Sequence, residues 1–249
     1  MAGHSQFKNI MHRKGAQDKK RAKVFTKVLR EIYVAVKNGG ADPDSNPKLR
    51  AALVSAREAN MPKDNIERAI SKASGEDSGD DYIETRYEGY GPGGVAVIVE
   101  CLTDNRNRTA PEIRSIFSKA GGNMGESGSV SFMFDRLGYL RYPPDCLPEE
   151  AMFELAVTAG ADNVESTTEA HEIYSSVEEF ACVRDTLMQK LGEPESGRLV
   201  WKAKSTHAVT DLEIAQKFMK FMDALEDNDD VQNVWDNAEI PSHIAEKLG

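Results

Sequence analysis

Residues 89–120, GYGPGGVAVIVECLTDNRNRTAPEIRSIFSKA, are the stretch that decides the fold class of this chain. The run from Val95 to Val99 is the longest apolar run in the chain and has the length of one strand. The glycines before it match G-x-G-x-x-G by letter, but a dinucleotide-binding loop needs a helix directly after the glycines. Since a strand follows here, we predict a glycine turn between two strands.

A helix follows this strand, because residues 110–120 have the composition of a helix that ends at a pair of glycines. The polar segment between them, residues 103–109, carries Arg106 and Arg108 at the expected start of the helix. Free backbone N–H groups and two arginines predict an anion site, and a capped helix with solvated arginines is the alternative. The next segment, residues 121–132, is rich in glycine and predicts either a second contact loop or a turn.

Strand-like and helix-like segments alternate through the rest of the chain. Residues from about 137 to 204 follow the order β-α-β-β-α-β, which is typical of a ferredoxin-like domain. The pieces on either side complete a second unit, into which the first is inserted. We therefore predict an α+β multidomain protein, with an N-terminal helical domain followed by two α+β, ferredoxin-like domains. The predicted domains are residues 1–75, residues 82–135 plus 205–249, and the inserted residues 136–204.

Charge is distributed unevenly along the chain. The whole sequence has a formal net charge of −10, yet residues 1–30 contain nine Lys or Arg and a single acid, Asp18. Residues 1–75 carry 16 basic and 7 acidic side chains, a balance of +9, and the remainder has a balance of −19. The polar, acidic stretch GEDSGDD at residues 75–81 separates the two parts and predicts a domain boundary.

The first predicted helix, from about Asp18 to Asn38, separates apolar from cationic side chains. At about 100° per residue, its apolar residues fall on one side and six of its basic residues fall on the other. The apolar set is Val24, Phe25, Val28, Leu29, Ile32, Tyr33 and Val36, and the cationic set is Lys19, Lys20, Lys23, Lys27, Arg30 and Lys37. A stripe of one sign repels itself unless an anion lies against it, and phosphates along a nucleic acid meet that need.

The residues before this helix add ring side chains to the cations. Phe7 and His12 alternate with Lys8, Arg13 and Lys14, a pattern that suits stacking on unpaired bases while the cations hold phosphates. Two alternatives stay open: a basic face that only improves solubility, and docking of the basic part on the acidic remainder. In the second case the acidic part mimics nucleic acid and restrains the basic segment.

Composition argues against several other functions. The chain has no run of 18 apolar residues, so we expect no membrane span. Its three cysteines and five histidines lack the spacing of metal sites, and we expect no metal, no cofactor and no small-molecule substrate. A nuclease would need clustered carboxylates for its metal, and the basic part has none. We therefore predict a non-enzymatic protein of the cytoplasm.

Four long segments resemble the YebC/PmpR family, the bacterial relatives of the mitochondrial translational activator of cytochrome c oxidase. They are GHSQFKNIMHRKGAQDKKRAKVFTKVLREI, NMPKDNIERAI, YEGYGPGGVAVIVECLTDNRNRT and GGNMGESGSVSFMF. They follow the family order, and the likeness covers essentially the whole chain. Where family members commonly have Ser-Lys-Trp, this chain has Ser5, Gln6 and Phe7, so stacking carries over to Phe7 and the lysine contact does not.

The resemblance implies a three-domain cytoplasmic protein that binds nucleic acid. It implies a DNA-binding regulator of transcription at promoters, or alternatively a ribosome-associated translation factor that binds ribosomal RNA and relieves stalling at proline-rich stretches. Residue patterns lean slightly towards RNA, since no base-reading helix is evident. The candidate nucleic-acid-binding residues are His4, Phe7, Lys8, His12, Arg13, Lys14, Lys19, Lys20, Lys23, Lys27, Arg30, Arg106 and Arg108.

Overall fold

The computed structural model describes residues 17–75 and 82–248, with side chains from Ala22 onward. Within these ranges the chain forms two compact units, and the predicted class, a helical N-terminal part followed by α+β sheets, is confirmed. The boundaries of the three domains stay a prediction. The first unit comprises residues 17–23, 82–135 and 203–248, and the second comprises residues 24–75 and 136–202.

Three helices open the described chain, and the first lies where the sequence predicts it. They are α1 (Gln17–Gly39), α2 (Pro47–Glu58) and α3 (Lys63–Ser74). Asn46 caps α2 and a proline occupies its first position, where the missing N–H has no intrahelical partner to lose. Gly40 follows α1 with φ of 86°, a conformation that favours glycine.

One buried side chain, that of Asn46, holds α1 and α2 together. Its amide nitrogen donates to Ala35 O at 2.7 Å and to Gly40 O at 2.8 Å, at the end of α1. Its amide oxygen accepts the N–H of Leu49 at 3.1 Å, at the start of α2. Because donors and acceptor are all used, the asparagine is satisfied although only 3% of it is exposed.

The first sheet combines strands that are far apart along the chain. Its order is β3-β1-β2-β9, with antiparallel pairing throughout. A 3-10 turn, Pro92–Gly94, joins β1 to β2, which confirms the predicted glycine turn between two strands. The strands are β1 (Ile83–Tyr90), β2 (Ala96–Thr103), β3 (Asn123–Met124) and β9 (Val231–Asp236), and the helices packed with them are α4 (Arg106–Lys119) and α7 (Leu212–Glu226).

Strand β2 is the centre of this unit and is buried on both faces, which explains its continuous apolar sequence. One face packs against α4 and α7, where the rings of Phe117 and Phe221 meet edge to face with centroids 4.9 Å apart. Glycine is required at Gly89 in the neighbouring strand, because a Cβ there would lie 2.9 Å from the Phe117 ring.

The second sheet has the strand order β5-β6-β4-β7 and the sequence order β-α-β-β-α-β, as predicted for a ferredoxin-like domain. Strand β6 pairs antiparallel with both β4 and β5. The hydrophobic core between this sheet and its helices contains Leu140, Tyr142, Met152, Ile173, Val183 and Leu187. The elements are β4 (Phe134–Tyr142), α5 (Glu149–Thr158), β5 (Asn163–Ser166), β6 (His171–Ser175), α6 (Phe180–Leu191) and β7 (Ser196–Ala203).

Three short elements near the C-terminus were not predicted from the sequence. They are β8 (His207–Ala208), which pairs in parallel with β10 (Ala238–Glu239), and α8 (Ser242–Ala245). Two-residue strands have no measurable periodicity, so only their pairing reveals them. Across residues 17–75 and 82–248, no helix combines the length and the apolar character needed to cross a membrane.

The substitution Asn46→Asp should destabilise the protein strongly. It would place a carboxylate against the carbonyl oxygens of Ala35 and Gly40, which now accept from the amide, and we expect a loss of about 3 kcal/mol. Urea unfolding at neutral pH measures this loss. The control is Asn46→Ser, which can still cap α2 and should cost less. Equal stability of Asn46→Asp and the unaltered protein would contradict the role assigned to this amide.

Candidate nucleic-acid interface

Helix α1 presents its cations on the side opposite to its buried residues. Val28, Ile32 and Val36 are buried, and the described cations between residues 22 and 31 are Lys23, Lys27 and Arg30. At about 100° per residue these three fall within roughly 60° of one another, opposite the buried set. The three positive charges are therefore spread along about two turns of the helix. This spacing suits successive phosphates of a nucleic-acid backbone.

The predicted stripe does not continue along the whole helix. All five residues 32–36 are buried, including Val34, which lies on the cationic side of the helix. The helix is thus enclosed on all sides over residues 32–36, and Lys37 lies beyond this part with its ammonium 5.7 Å from the Tyr33 ring. The cationic surface is consequently confined to the part of α1 that ends at Arg30.

Lys23 is ion-paired with an acidic side chain at the end of α7. Its ammonium lies 2.7 Å from the Asp227 carboxylate and donates to Asp227 O at 3.1 Å. A carboxylate beside the last carbonyls of a helix presents negative charge much as a phosphate does. Both side chains are well exposed, so the pair adds little stability and salt screens it, and an incoming phosphate can replace it.

The structure describes the other predicted nucleic-acid-binding residues of this segment only in part. Lys27 and Arg30 are half-buried, and each has an interaction partner within the protein. Lys19 and Lys20 lie in α1, but their side chains are outside the described residues. The remaining predicted residues of the segment, all upstream of α1, lie outside the described residues altogether: His4, Phe7, Lys8, His12, Arg13 and Lys14.

Two further arginines of the helical part are already neutralised by acids of the same unit. Arg57 forms an ion pair with Glu193, and Arg50 lies 4.0 Å from Asp185. Arg50 also donates to the carbonyl oxygens of Pro43 and Asp44. Arg50 therefore serves the fold, whereas the ion pair of Arg57 is about as exposed as that of Lys23.

The two arginines of the predicted anion site at the start of α4 differ in their contacts. Arg108 lies 2.9 Å from Asp104 and 3.1 Å from Asp230, so two carboxylates already neutralise it. Arg106 is exposed at the first position of α4. The Asn105 side chain accepts the N–H of Arg108, which is the capped helix of the alternative interpretation. The anion-site prediction therefore depends on Arg106.

Asp230 was missed by sequence reasoning and is the centre of a buried network. Its carboxylate accepts the hydroxyls of Thr109 at 2.7 Å and Thr103 at 3.1 Å, as well as the Arg108 guanidinium. Burial by itself would raise the pKa of this carboxyl, but these donors and the arginine charge outweigh it and hold the pKa below its usual range. Its partners lie more than 100 residues away in the sequence, so no local pattern indicates it.

A second buried carboxylate, that of Glu88, organises the glycine-rich loop at residues 121–133. It accepts the backbone N–H groups of Val130 at 3.1 Å and Ser131 at 2.9 Å. Burial would raise the pKa of this carboxyl, and the backbone donors lower it overall. The loop so fixed carries Phe132, which is 66% exposed. An exposed ring can stack on a base, and the role of this segment as a second contact loop stays a prediction.

No group of three or more potential metal ligands occurs in residues 17–75 and 82–248. His171 is an example of a histidine with a structural role. Its Nδ1 faces the Ser166 hydroxyl at 2.7 Å, and its Nε2 faces Leu147 O at 2.9 Å. Both ring nitrogens are therefore used inside the fold.

Comparison with known proteins assigns the family. Residues 5–76 match the model of the TACO1/YebC protein N-terminal domain, and residues 82–238 match that of the TACO1/YebC second and third domain. This chain belongs to the TACO1/YebC family. Together the two models cover the helical part, both sheets and all of the candidate residues except His4.

A solved structure agrees with this membership. The crystal structure of a conserved hypothetical protein, Aq1575 from Aquifex aeolicus, is similar to this chain at 48% sequence identity. The match covers 94% of this chain and 96% of that chain, with a TM-score of 0.80. The model matched by residues 82–238 carries a transcription-regulator label, so TACO1/YebC membership supports a role related to transcription or translation.

The contribution of Asp230 to stability should depend on pH. Because its pKa is lowered in the folded state, its stabilising effect is complete above the usual aspartate value of about 3.9 and is lost as the pH falls through the lower folded value. We expect Asp230→Asn to cost about 2 kcal/mol at pH 7, and the difference from the unaltered protein to shrink towards pH 3. Urea unfolding across this range measures the difference. The exposed Asp145→Asn is the control, and a difference for Asp230→Asn that stays constant with pH would contradict the assignment.

Proposed function

We propose that this TACO1/YebC protein is a non-enzymatic regulator of gene expression that acts in the cytoplasm and binds nucleic acid through the cationic side of α1. The observation that carries the proposal is the arrangement of Lys23, Lys27 and Arg30 opposite a buried apolar side. The basic residues upstream of α1 extend this surface, and Arg106 supplies a separate contact.

The pairing of other cations within the fold supports the proposal. Arg50 is half-buried beside Asp185, and Arg108 is held by the buried carboxylate of Asp230, so these two charges serve the fold. Lys23 is paired as well, but through an exposed contact that a phosphate can replace. A protein with net charge −10 repels nucleic acid as a whole, so binding requires a local surface of this kind.

Regulation of transcription at promoter DNA is the first candidate. It is supported by the transcription-regulator label of the model that residues 82–238 match. A cationic helix that follows phosphates would grip DNA without reading its sequence. Specificity would then come from other surfaces of the protein, or from the shape of the DNA.

Action on ribosomal RNA is the second candidate, and one observation favours it. Four residues connect α2 to α3, as in a helix-turn-helix, which would make α3 the helix that reads bases. Its first turns expose Asp64 and Glu67 beside Lys63 and Arg68, and a carboxylate there repels the phosphates that flank the major groove. Irregular RNA demands no such helix.

A nuclease is the rival from another class. Incubating the pure protein with labelled RNA and DNA in magnesium tests it, and cleavage above the background of a Lys20, Lys23, Lys27→Glu variant would overturn the non-enzymatic part of the proposal. We expect binding without cleavage.

Reversing the charge of α1 should abolish nucleic-acid binding. We expect the Lys20, Lys23, Lys27→Glu variant to bind a labelled RNA or duplex DNA about 100-fold more weakly at moderate salt, because several phosphate contacts are lost. For the unaltered protein, log K against log salt should fall with a slope of about −4 to −7. Fluorescence anisotropy over a salt series measures both quantities.

The matched control reverses three exposed lysines elsewhere, in the variant Lys190, Lys220, Lys247→Glu. It changes the net charge equally, so a purely global charge effect would weaken both variants alike. Equal weakening, or a slope near zero, would remove α1 from the binding site. Thermal unfolding of each variant verifies that the fold is retained.

Crosslinking in living cells distinguishes the two candidates. Ultraviolet light joins the protein to whatever nucleic acid it touches, and sequencing of both attached DNA and attached RNA identifies it. Reads at a few positions of ribosomal RNA would establish a translation factor and reduce promoter binding to nonspecific attraction. Reads upstream of a few genes would establish a transcription regulator.

A further inference from the structure

Helix α5 exposes an apolar pair on its outer side. Phe153 is 53% exposed and Val157 is 48% exposed, and they are one helical turn apart. The inner side of the helix is already packed, since Met152 and Ala156 are fully buried in the core of the second sheet. The exposed pair is therefore not needed for the fold of this unit. It is an apolar surface whose contact with water is unfavourable.

Acidic side chains frame this pair, and the chain segment around it contains no cation. Residues 142–170 contain seven Asp or Glu and no Lys or Arg. Glu150 and Glu154 lie within about 60° of Val157 around the helix axis. Within the described part of the chain, neither carboxylate forms an ion pair. A surface of this sign repels the backbone of a nucleic acid.

The position of these acids also calls for an explanation beyond helix stability. Acids in the first turn, such as Glu149 and Glu150, are favoured by the helix N-terminus. Glu154 lies in the middle of α5, where that effect has faded, and it stands directly beside the apolar pair. An apolar pair next to uncompensated carboxylates is complementary to a segment that carries both apolar and cationic side chains.

We propose that the outer side of α5, formed by Phe153, Val157, Glu150 and Glu154, docks a lysine- or arginine-rich amphipathic segment of a second protein. The apolar side chains of that segment cover Phe153 and Val157, and its cations pair with the two carboxylates. A second copy of this chain in symmetric contact would bring carboxylates against carboxylates, and this disfavours self-association. None of these residues belongs to α1, so the proposal stands whether or not α1 binds nucleic acid.

The test uses the full chain and a fluorescent synthetic peptide of leucine and lysine at amphipathic helical spacing. Anisotropy measures its affinity for the unaltered protein and for two variants. We expect Phe153→Ser combined with Val157→Ser to weaken binding about tenfold, because the apolar centre of the contact is lost. We expect Glu150→Gln combined with Glu154→Gln to weaken binding as well, and more so at low salt.

Matched controls make the same chemical changes elsewhere. Phe132→Ser removes another exposed ring, and Glu126→Gln combined with Glu246→Gln removes two other exposed carboxylates. Both controls should bind the peptide like the unaltered protein. Unchanged affinity of the α5 variants, or equal weakening by the controls, would overturn the proposal. The glutamine variant keeps the test decisive if the serine variant melts at a lower temperature.

Three other outcomes would assign the surface to a different occupant and so overturn the proposal. The first is a dimer in sedimentation that the serine variant dissociates, which would make a second copy the occupant. The second is tighter peptide binding by a full chain with Lys8, Arg13 and Lys14 changed to Gln, which would make its own basic segment the occupant. The third is weaker RNA binding by the α5 variants, which would join this surface to the nucleic-acid site.

Discussion

The pairing of β2 with β9 is the constraint on which the first unit depends. It joins Val97 to Asp236 and Cys101 to Val231, so residues more than 100 positions apart must meet before the central strand is enclosed. Polar contacts secure both ends of β2. The Asn237 side chain accepts the N–H of Ala96 at one end, and Asp230 O accepts the N–H of Leu102 at the other. Closing so long a loop costs entropy, which the burial of β2 on both faces offsets.

This constraint also decides which cations are available for binding. Because β9 must begin beside the end of β2, Asp230 is brought against the start of α4 and takes up the charge of Arg108. In the other unit, Glu193 and Asp185 do the same for Arg57 and Arg50. The acidic excess of the later chain is thus partly used to neutralise arginines of the fold. The cations of α1 up to Arg30 lie opposite its buried residues, and the outer side of α5 carries acidic and apolar side chains instead.

Much of the fold was predictable, because helices and long strands are encoded by local periodicity. The helical N-terminal part with its first helix, the glycine turn before β2 and the ferredoxin-like order of the second sheet were all predicted and are confirmed. The short strands β8 and β10 were not, since two residues have no period. The burial of Val34 on the cationic side of α1 was missed for a related reason. A helical wheel shows the faces of one helix and contains no information about which other elements pack against it.

The sequence by itself determined the separation of charge, the amphipathic side of α1 and the family, because these depend on the order of residue types along short stretches. The tertiary structure alone decided which charges are neutralised within the fold. Asp230 and Glu88 look like ordinary acids in the sequence, yet burial beside distant donors makes one the partner of Arg108 and the other the support of the loop that carries Phe132. The physical reason is that an ion pair or a buried hydrogen bond depends on distance in space, which residues far apart in the chain acquire only on folding.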